Sequence, residues 1–139
     1  MKPKKILVMG LPGSGKTTLT KELANKLNAE ILNADIVRKK FDDWDFSISG
    51  RLRQSSRMKD LAEKIILKKK NVIADFVCPT EETRTKFSAD LIIWMDTIKK
   101  GRFDDTNALF SPPKKYFFKV ISKDAKFWSI EILKKLNNS

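Results

Sequence analysis

An eight-residue segment near the start of the chain has the residue types and spacing of a phosphate-binding loop. Residues 10–17 read Gly-Leu-Pro-Gly-Ser-Gly-Lys-Thr and match the pattern G-x-x-x-x-G-K-[ST] in full. In such a loop, backbone N–H groups surround phosphate oxygens, Lys16 contacts the β- and γ-phosphates, and the Thr17 hydroxyl ligates Mg²⁺. We therefore predict that ATP and Mg²⁺ bind here, with Lys16 also catalytic. The predicted contact residues are Gly10, Leu11, Pro12, Gly13, Ser14, Gly15, Lys16, Thr17 and Thr18.

Two aspartates follow apolar runs of the sequence. Asp35 comes after the predicted second strand, where it could accept a proton from an attacking hydroxyl or hold Mg²⁺ through water; it could equally cap a short helix. The phosphate loop favours the functional role. Asp75 ends the run Val-Ile-Ala, as a Walker B carboxylate does when it supports Mg²⁺, although strands also end in Asp for turn geometry. We predict that Asp35 is catalytic and that Thr17, Asp35 and Asp75 form the metal site.

The elements that must position these residues alternate along the chain. Short apolar runs predict strands, and apolar residues at helical spacing predict helices. This alternation favours a P-loop NTPase-like three-layer α/β/α fold with an open, mainly parallel sheet, whose ligands bind at the carboxyl ends of the strands. The predicted strands are 6–9, 30–33, 71–77, 91–95 and 116–121; helices occupy 16–27, 34–41, 50–69 and segments starting at Thr80 and Asp124; 42–49 and 99–115 are predicted loops.

The composition is that of a folded protein with a strong positive charge. At 139 residues the chain is long enough for one core, so we expect a single P-loop kinase domain over residues 1–139. Twenty-nine Lys and Arg residues against 17 Asp and Glu give a net charge of +12, which attracts anionic ligands. Nucleotides and nucleic acids both fit that charge. Most of the lysines are also explained as solvated residues near helix ends.

Several functional classes are disfavoured by what the chain lacks. There is no histidine, so acid–base chemistry must use carboxylates or lysines, and the single cysteine excludes an internal disulfide. No stretch approaches the roughly 20 apolar residues that a membrane span requires. The basic start leads into an apolar run of only five residues before Gly10, which we interpret as a strand and not a signal sequence. We expect a cytoplasmic protein.

A second group of residues has the types expected of a pocket for the phosphate acceptor. Phe46 could stack on a base, and Arg51 and Arg57, with Gln54 between them, could meet anionic groups. From the residues alone, the simpler interpretation is that Phe46 belongs to the core and that the arginines form a solvated helix face.

Four segments of the chain match motifs of one enzyme family. Residues 10–18 match GLxGSGKST; residues 32–38, Leu-Asn-Ala-Asp-Ile-Val-Arg, match LDGDNVR. Asp-Phe-Ser at residues 45–47 followed by Arg51 matches GFSxxDR, and Phe-Val-Cys-Pro at residues 76–79 matches FISP. By these segments the chain resembles the adenylylsulfate kinases, which phosphorylate the 3′-hydroxyl of adenosine 5′-phosphosulfate (APS). The similarity covers roughly residues 6–87.

The resemblance implies roles for the matched residues. Asp35 and Arg38 would have catalytic and substrate-binding roles, and Phe46 would stack on the adenine of APS. Arg51 would contact the substrate together with Gln54, where the family usually has Asn. The resemblance also implies that Phe76, Val77 and Cys78 contact the substrate beside the sulfate, and that Phe103 contacts it from the lid.

The chain also departs from the family pattern. Asn33 replaces the first Asp of DGD, Gly50 the Asp of DR and Ser56 the first Arg of IRR, while Cys78 occupies a Ser position. The largest change follows residue 94, where the family has an Arg- and Lys-rich lid with RD-x-KGLY ahead of GFTGIDDPYE. This chain has a truncated lid, in which Phe103 replaces the lid aromatic and Arg102 supplies charge near the phosphates. A short lid predicts a wetter site and slower or less specific transfer.

The resemblance implies that ATP and APS give ADP and 3′-phosphoadenylyl sulfate, in sulfate assimilation. Two alternatives remain open: a polynucleotide 5′-kinase or other small P-loop kinase, and a nucleotide-binding regulator that has lost catalysis. We expect a small-molecule partner, with no membrane partner and no nucleic acid, and we allow for the homodimer that is common in the family.

Overall fold

The computed structural model describes residues 2–139, which form an open five-stranded sheet with helices on both faces. All strand pairs are parallel, in the order β2-β3-β1-β4-β5, so the predicted three-layer fold is confirmed. The strands are β1 (Lys5–Met9), β2 (Glu30–Asn33), β3 (Val72–Asp75), β4 (Leu91–Met95) and β5 (Phe118–Val120). The helices are α1 (Lys16–Leu27), α2 (Ala34–Phe41), α3 (Ile48–Leu67), α4 (Glu81–Phe87), α5 (Asp104–Leu109) and α6 (Ala125–Asn137).

The central strand β1 is buried on both of its faces, which explains its unbroken apolar sequence. Leu7 and Met9 belong to one core cluster, on the side of α2, α3 and α4, and Ile6 and Val8 to a second cluster, on the side of α1 and α6. Successive side chains of a strand point to opposite faces, so one strand contributes to both cores. β1 thereby fixes the position of the loop that follows Met9 relative to both helical layers.

Polar caps set the starts of several helices. The Thr80 hydroxyl accepts a hydrogen bond from the backbone N–H of Thr83 in a capping box, and Asp124 caps α6, as the sequence predicts. At α2 the cap is Asn33, whose side-chain oxygen accepts from the backbone N–H of Ile36. The alternative in which Asp35 caps this helix is therefore wrong, and its carboxylate is available for another role.

The segment expected to be one long loop, residues 99–115, contains the helix α5. Sequence periodicity misses it because the helix has six residues and buries only Thr106 among them. Smaller corrections concern element ends: α3 begins at Ile48, β3 already ends at Asp75, and β5 has only three residues. Among residues 2–139, no helix has the length and apolar character needed to cross a bilayer.

Candidate functional site

The phosphate-loop motif forms the turn between β1 and α1. Gly13 and Gly15 have φ angles of +86° and +98°, in the left-handed region that side chains disfavour. At Gly10 a Cβ atom would lie 2.8 Å from the Met95 carbonyl oxygen at the end of β4. The glycines of the motif are therefore required by the backbone itself, and the loop has the shape of an anion cradle at the positive end of α1.

Lys16 extends back over this loop. Its ammonium donates a hydrogen bond to the Leu11 carbonyl oxygen at 3.0 Å. Burial in the cleft lowers the pKa of Lys16 from 10.5 to about 8, an effect that the charges of Asp75 and Asp35 oppose and that of Arg102 reinforces. The ammonium is thus held without a carboxylate partner of its own, which leaves it available to an anionic ligand.

Thr17, Asp75 and Asn33 meet where the carboxyl ends of β1, β3 and β2 come together. The Thr17 hydroxyl donates to Asp75 Oδ2 at 2.8 Å, and Asn33 Nδ2 donates to the same oxygen at 3.0 Å. Mg²⁺ prefers oxygen ligands and commonly takes one or two carboxylates together with substrate phosphates. The Thr17 hydroxyl and the Asp75 carboxylate fit that preference. Within residues 2–139, no three Cys, Asp or Glu side chains surround a common metal position, so a cation here would need phosphate or water oxygens as well.

Asp35 lies exposed in the first turn of α2, on the wall of the same cleft. The cleft has a volume of about 660 Å³ and joins the phosphate loop to the predicted acceptor residues. Of the predicted site residues, those that line it are Pro12, Gly13, Lys16, Thr17, Asp35, Arg38, Phe46, Arg51, Gln54, Asp75, Phe76, Val77, Cys78 and Phe103. The predicted residues that do not line it are Gly10, Leu11, Ser14, Gly15 and Thr18.

The side of the cleft that contains the predicted acceptor residues is built around Phe46. Phe46 is 46% exposed, and the guanidinium carbons of Arg38 and Arg51 lie 4.2 and 5.3 Å from the centre of its ring. Both arginines are buried, and burial lowers the pKa of each guanidinium. The interpretation of Phe46 as core and of Arg51 as solvated is therefore wrong: an aromatic face and two cations share one wall.

Gln54 and Arg57 are occupied within the protein. Gln54 is 2% exposed; its Nε2 donates to the Ala34 carbonyl at 3.0 Å and its Oε1 accepts from Arg57 Nη1 at 2.9 Å. Arg57 does not line the cleft, and its guanidinium donates to the Asp43 carboxylate at 2.9 Å. These side chains connect α3 to α2 and to the loop before α3.

The segment after β3 forms another part of the cleft wall. The Phe76 N–H donates to the Val8 carbonyl at 3.2 Å, and its ring packs edge-to-face on Phe87 at 5.7 Å. Cys78 is fully buried with a φ of +46°, and burial raises the pKa of its thiol to about 12. The thiol is therefore neutral and poorly suited to nucleophilic chemistry.

The segment predicted to be a shortened lid contacts the phosphate loop. The Thr97 hydroxyl donates to the Ser14 carbonyl at 2.7 Å, and a Cβ added to Gly101 would lie 3.0 Å from the Pro12 carbonyl. Asn107 in α5 exchanges two hydrogen bonds with the Gly101 backbone, at 2.8 and 2.9 Å. Arg102 and Phe103, which follow Gly101, line the cleft, and Phe103 is 50% exposed.

A helix that sequence reasoning missed, α5, links the predicted lid to the predicted acceptor residues. Arg51 Nη2 donates to the Thr106 hydroxyl of α5 at 3.1 Å and lies 3.8 Å from the Asp105 carboxylate. The Nε of Arg51 donates to the Phe46 carbonyl at 2.9 Å. One guanidinium therefore holds α5 against the loop that carries Phe46.

Sequence reasoning also missed a smaller cavity, of about 100 Å³, on the other side of the phosphate loop. Gly15 and Thr18 line it from α1, and the turn from β5 to α6 lines it through Ser122 and Lys123. The strand order could have indicated this site, because a parallel β5 beside β4 brings its carboxyl end to the edge of the sheet where the loop lies.

A protein family described as "AAA domain" matches residues 6–89, from β1 to the end of α4. The chain belongs to this family. The match includes the phosphate loop, Asp35, the predicted acceptor residues of α2 and α3, and Asp75. The short lid, α5 and α6 of this AAA domain lie outside it.

Curated relatives of this AAA domain include shikimate kinases. That of Corynebacterium diphtheriae is 27% identical over 96 residues, which cover 66% of this chain and 56% of the relative. That of Corynebacterium jeikeium is 47% identical over 53 residues, covering 37% of this chain and 28% of the relative. The chain spans about half the length, or less, of the curated relatives it matches.

Solved structures similar to this AAA domain confirm the fold. The APS kinase CysC of Mycobacterium tuberculosis, in complex with AMPPNP and APS, has a TM-score of 0.81 at 18% identity, with 97% of this chain and 99% of that chain covered. A gluconokinase from Sinorhizobium meliloti has a TM-score of 0.71 at 15% identity, with 99% and 93% covered. Shikimate kinase from Acinetobacter baumannii has a TM-score of 0.64 at 17% identity, with 98% and 94% covered.

Proposed function

We propose that the protein is an adenylylsulfate kinase, which transfers the γ-phosphate of ATP to the 3′-hydroxyl of APS. The observation that carries the proposal is the composition of the acceptor wall. Half-exposed Phe46 and Phe103 and buried Arg38 and Arg51 share one cleft with the phosphate loop. Aromatic faces suit a planar base, and guanidinium groups suit the phosphosulfate anion of APS.

On this proposal, the loop from Gly10 to Thr18 holds the phosphates of ATP, and the cavity beside Thr18 and Ser122 receives the adenine. Thr17 and Asp75 would hold Mg²⁺, which neutralises phosphate charge when bound. Asp35 was expected to take part in the metal site as well; its exposed position on the cleft wall suits an acid–base role better.

In the reaction, the 3′-oxygen of APS forms a bond to the γ-phosphorus as the bond from that phosphorus to the bridging oxygen of ADP breaks. Asp35 orients the hydroxyl and accepts its proton. The Lys16 ammonium stabilises the charge on the phosphoryl oxygens, and Arg102, above Gly13, adds positive charge on the lid side. The remaining residues hold the two substrates in line.

A second candidate, phosphorylation of shikimate, is favoured by the curated relatives, which are named shikimate kinases. Arg38 and Arg51 could bind its carboxylate. Shikimate has no planar base, however, and would leave the half-exposed aromatic side chains of the cleft without a matching ligand surface.

The test is ADP release with Mg²⁺-ATP and one acceptor at a time: APS, AMP, shikimate, gluconate, a 5′-hydroxyl oligonucleotide, or none. We expect release that depends on APS. Release with shikimate would establish the second candidate, and release with none of the acceptors would indicate a nucleotide-binding regulator.

Release with the oligonucleotide would support the polynucleotide 5′-kinase alternative. Salt separates this case from that of a small acceptor, because a protein that neutralises several backbone phosphates loses affinity steeply as ionic strength rises. A KM for the acceptor that changes little with added salt would support APS.

A further inference from the structure

Trp44 is a cleft residue to which neither the sequence motifs nor the proposed mechanism assigns a role. It lies in the loop between α2 and α3 and lines the cleft together with Phe46. The residue is 50% exposed. Exposed tryptophan forgoes the large stabilisation that its burial would give. A ring kept in this position therefore requires an explanation.

The backbone on both sides of Trp44 is held by one buried guanidinium. Arg38 Nη1 donates to the Asp43 carbonyl at 2.9 Å and to the Asp45 carbonyl at 3.2 Å. These are the residues immediately before and after Trp44. The position of the tryptophan backbone is thereby fixed to α2.

The carboxylates of the same two neighbours are held from α3. Arg53 makes two hydrogen bonds to the Asp43 carboxylate, at 2.8 and 3.1 Å, and Arg57 adds a third at 2.9 Å. These bonds hold the pKa of Asp43 well below its usual range. The Asp45 carboxylate accepts from the Ser47 N–H at 2.9 Å and from Arg53 at 3.1 Å. We call Arg38, Arg53 and Arg57, with Asp43 and Asp45, the Trp44 clamp.

No aromatic ring within residues 2–139 packs on the indole of Trp44. The aromatic pairs there join other residues: Phe76 to Phe87, Trp94 to Tyr116, and Trp128 to Phe118 and to Phe127. The Trp44 clamp therefore fixes the backbone of a residue whose side chain lines the cleft. No other ring of the described residues stacks on its indole. That is the arrangement of a stacking surface for a ligand.

We propose that Trp44 is a specificity-determining residue of the acceptor site, a stacking surface fixed by the Trp44 clamp that selects acceptors carrying a planar heteroaromatic ring. This inference rests on the proposed function, because it assumes that the acceptor enters the cleft. It deepens that function by separating a nucleotide acceptor, which has such a ring, from an alicyclic acid or a sugar acid, which has none.

Direct binding tests the inference without any phosphotransfer. Tryptophan fluorescence would be titrated with AMP and, separately, with shikimate, in the absence of ATP. All titrations use a Trp128→Phe background, because Trp128 lines the cavity proposed for the adenine of ATP. We expect AMP to quench the fluorescence of this protein and shikimate to leave it unchanged. The quenching should be lost in Trp44→Leu and kept in Trp94→Phe, a matched control whose tryptophan packs on Tyr116 away from the cleft. Equal quenching with and without Trp44→Leu in this background would overturn the inference.

Steady-state kinetics provide a second test. A general loss of structure would change kcat and the KM for ATP, whereas loss of the stacking surface should change only the KM for APS. We expect Trp44→Leu to raise the KM for APS about 10-fold, within the range for loss of a base-stacking aromatic, with kcat and the KM for ATP nearly unchanged. Trp44→Phe should restore most of the affinity. Asp43→Asn should raise the KM for APS, whereas Asp42→Asn, whose carboxylate makes no ion pair, should not.

The two proposals fail in different ways. Quenching by AMP that depends on Trp44, without turnover of APS, would refute the proposed function and support the role of Trp44. Turnover of APS with an unchanged KM in Trp44→Leu would refute the role of Trp44 and support the proposed function.

Discussion

Thr17 and Asp75 are joined by a 2.8 Å hydrogen bond between the hydroxyl of the phosphate loop and the carboxylate at the end of β3. Asn33 completes the arrangement by donating to the same carboxylate oxygen. The resemblance to adenylylsulfate kinases implies an Asp at position 33, and here an amide takes its place. One carboxylate oxygen therefore receives two donors, and the side chain at position 33 is neutral.

Asn33→Asp should destabilise the ligand-free protein near neutral pH. Two carboxylates would then face each other at hydrogen-bond distance, and their repulsion would raise the pKa of one of them above its unfolded value, near 4. A raised carboxyl pKa means that the penalty appears as pH rises through that pKa and vanishes below about pH 4. We expect a loss of about 1–3 kcal/mol at pH 7, which corresponds to a pKa raised by about 1–2 units, measured by urea unfolding from pH 4 to 8.

Asn33→Ser is the control for this substitution, because serine keeps the cap of α2 without adding charge. A loss of stability in Asn33→Asp that is the same at pH 4 and pH 7 would contradict the electrostatic explanation.

The lowered pKa of Lys16 predicts a pH dependence of nucleotide affinity. Phosphates bind the charged ammonium, so the Kd of a non-hydrolysable ATP analogue should rise above pH 8, by at most about 10-fold per pH unit. Proton uptake should accompany binding there, measured by calorimetry in buffers of different ionisation enthalpy. Lys16→Met should bind weakly and lose this uptake. Proton uptake that persists in Lys16→Met would show that another group takes up the proton.

The lowered pKa of Lys16 also predicts that the ligand-free protein becomes more stable as pH rises, whereas its affinity for nucleotide falls. Between about pH 8 and 10.5 the folded ligand-free protein binds fewer protons at Lys16 than the unfolded chain does. Its unfolding free energy should therefore rise with pH across this window, relative to Lys16→Met. Denaturant unfolding at pH 7.5, 9 and 10.5 checks this, and parallel curves for the two proteins would contradict the assignment.

Asp35→Asn should reduce kcat by about 10²–10⁴-fold, the range for loss of a general base. The unfolding midpoint should fall only slightly, because Asn33 and not Asp35 caps α2 and a carboxylate in the first turn contributes about 0.3–1 kcal/mol. Steady-state kinetics with APS and a thermal unfolding curve measure both quantities. Unchanged turnover would remove Asp35 from the mechanism.

Asn107→Ala should loosen the lid, because it removes both hydrogen bonds that tie Gly101 to α5. Each such bond contributes about 1 kcal/mol. We expect a lower kcat and more ATP hydrolysis without acceptor, since an open lid admits water. Asn137→Ala, at the exposed end of α6, is the control. Equal hydrolysis in the two variants would mean that these bonds do not hold the lid.

Most of the helices and strands could be predicted from the sequence because they depend on local patterns of residues. The bounds of α1 follow from the phosphate-loop motif and from leucines at helical spacing, and the cap residues Thr80 and Asp124 begin the helices predicted for them. The gathering of Lys16, Asp35 and Asp75 in one cleft follows from parallel topology, which brings the carboxyl ends of strands to one edge.

What escaped prediction depends on contacts between distant residues. Helix α5 is held by Arg51, from 55 positions earlier, and not by an apolar face of its own. The function of Gly50 is also visible only in three dimensions, since a Cβ there would overlap the backbone carbonyl of Asp45. The site at which the resemblance expects an Asp is therefore closed to any side chain while the loop holds this shape.

The phosphate loop and the predicted acceptor residues line a single cleft. After transfer, ADP on the loop leaves the acceptor side open to solvent once the product has gone. A fresh acceptor molecule can then enter before ADP departs, and this pair of ligands cannot react. Under the proposed function, such an abortive complex accumulates as acceptor concentration rises, and turnover falls by substrate inhibition.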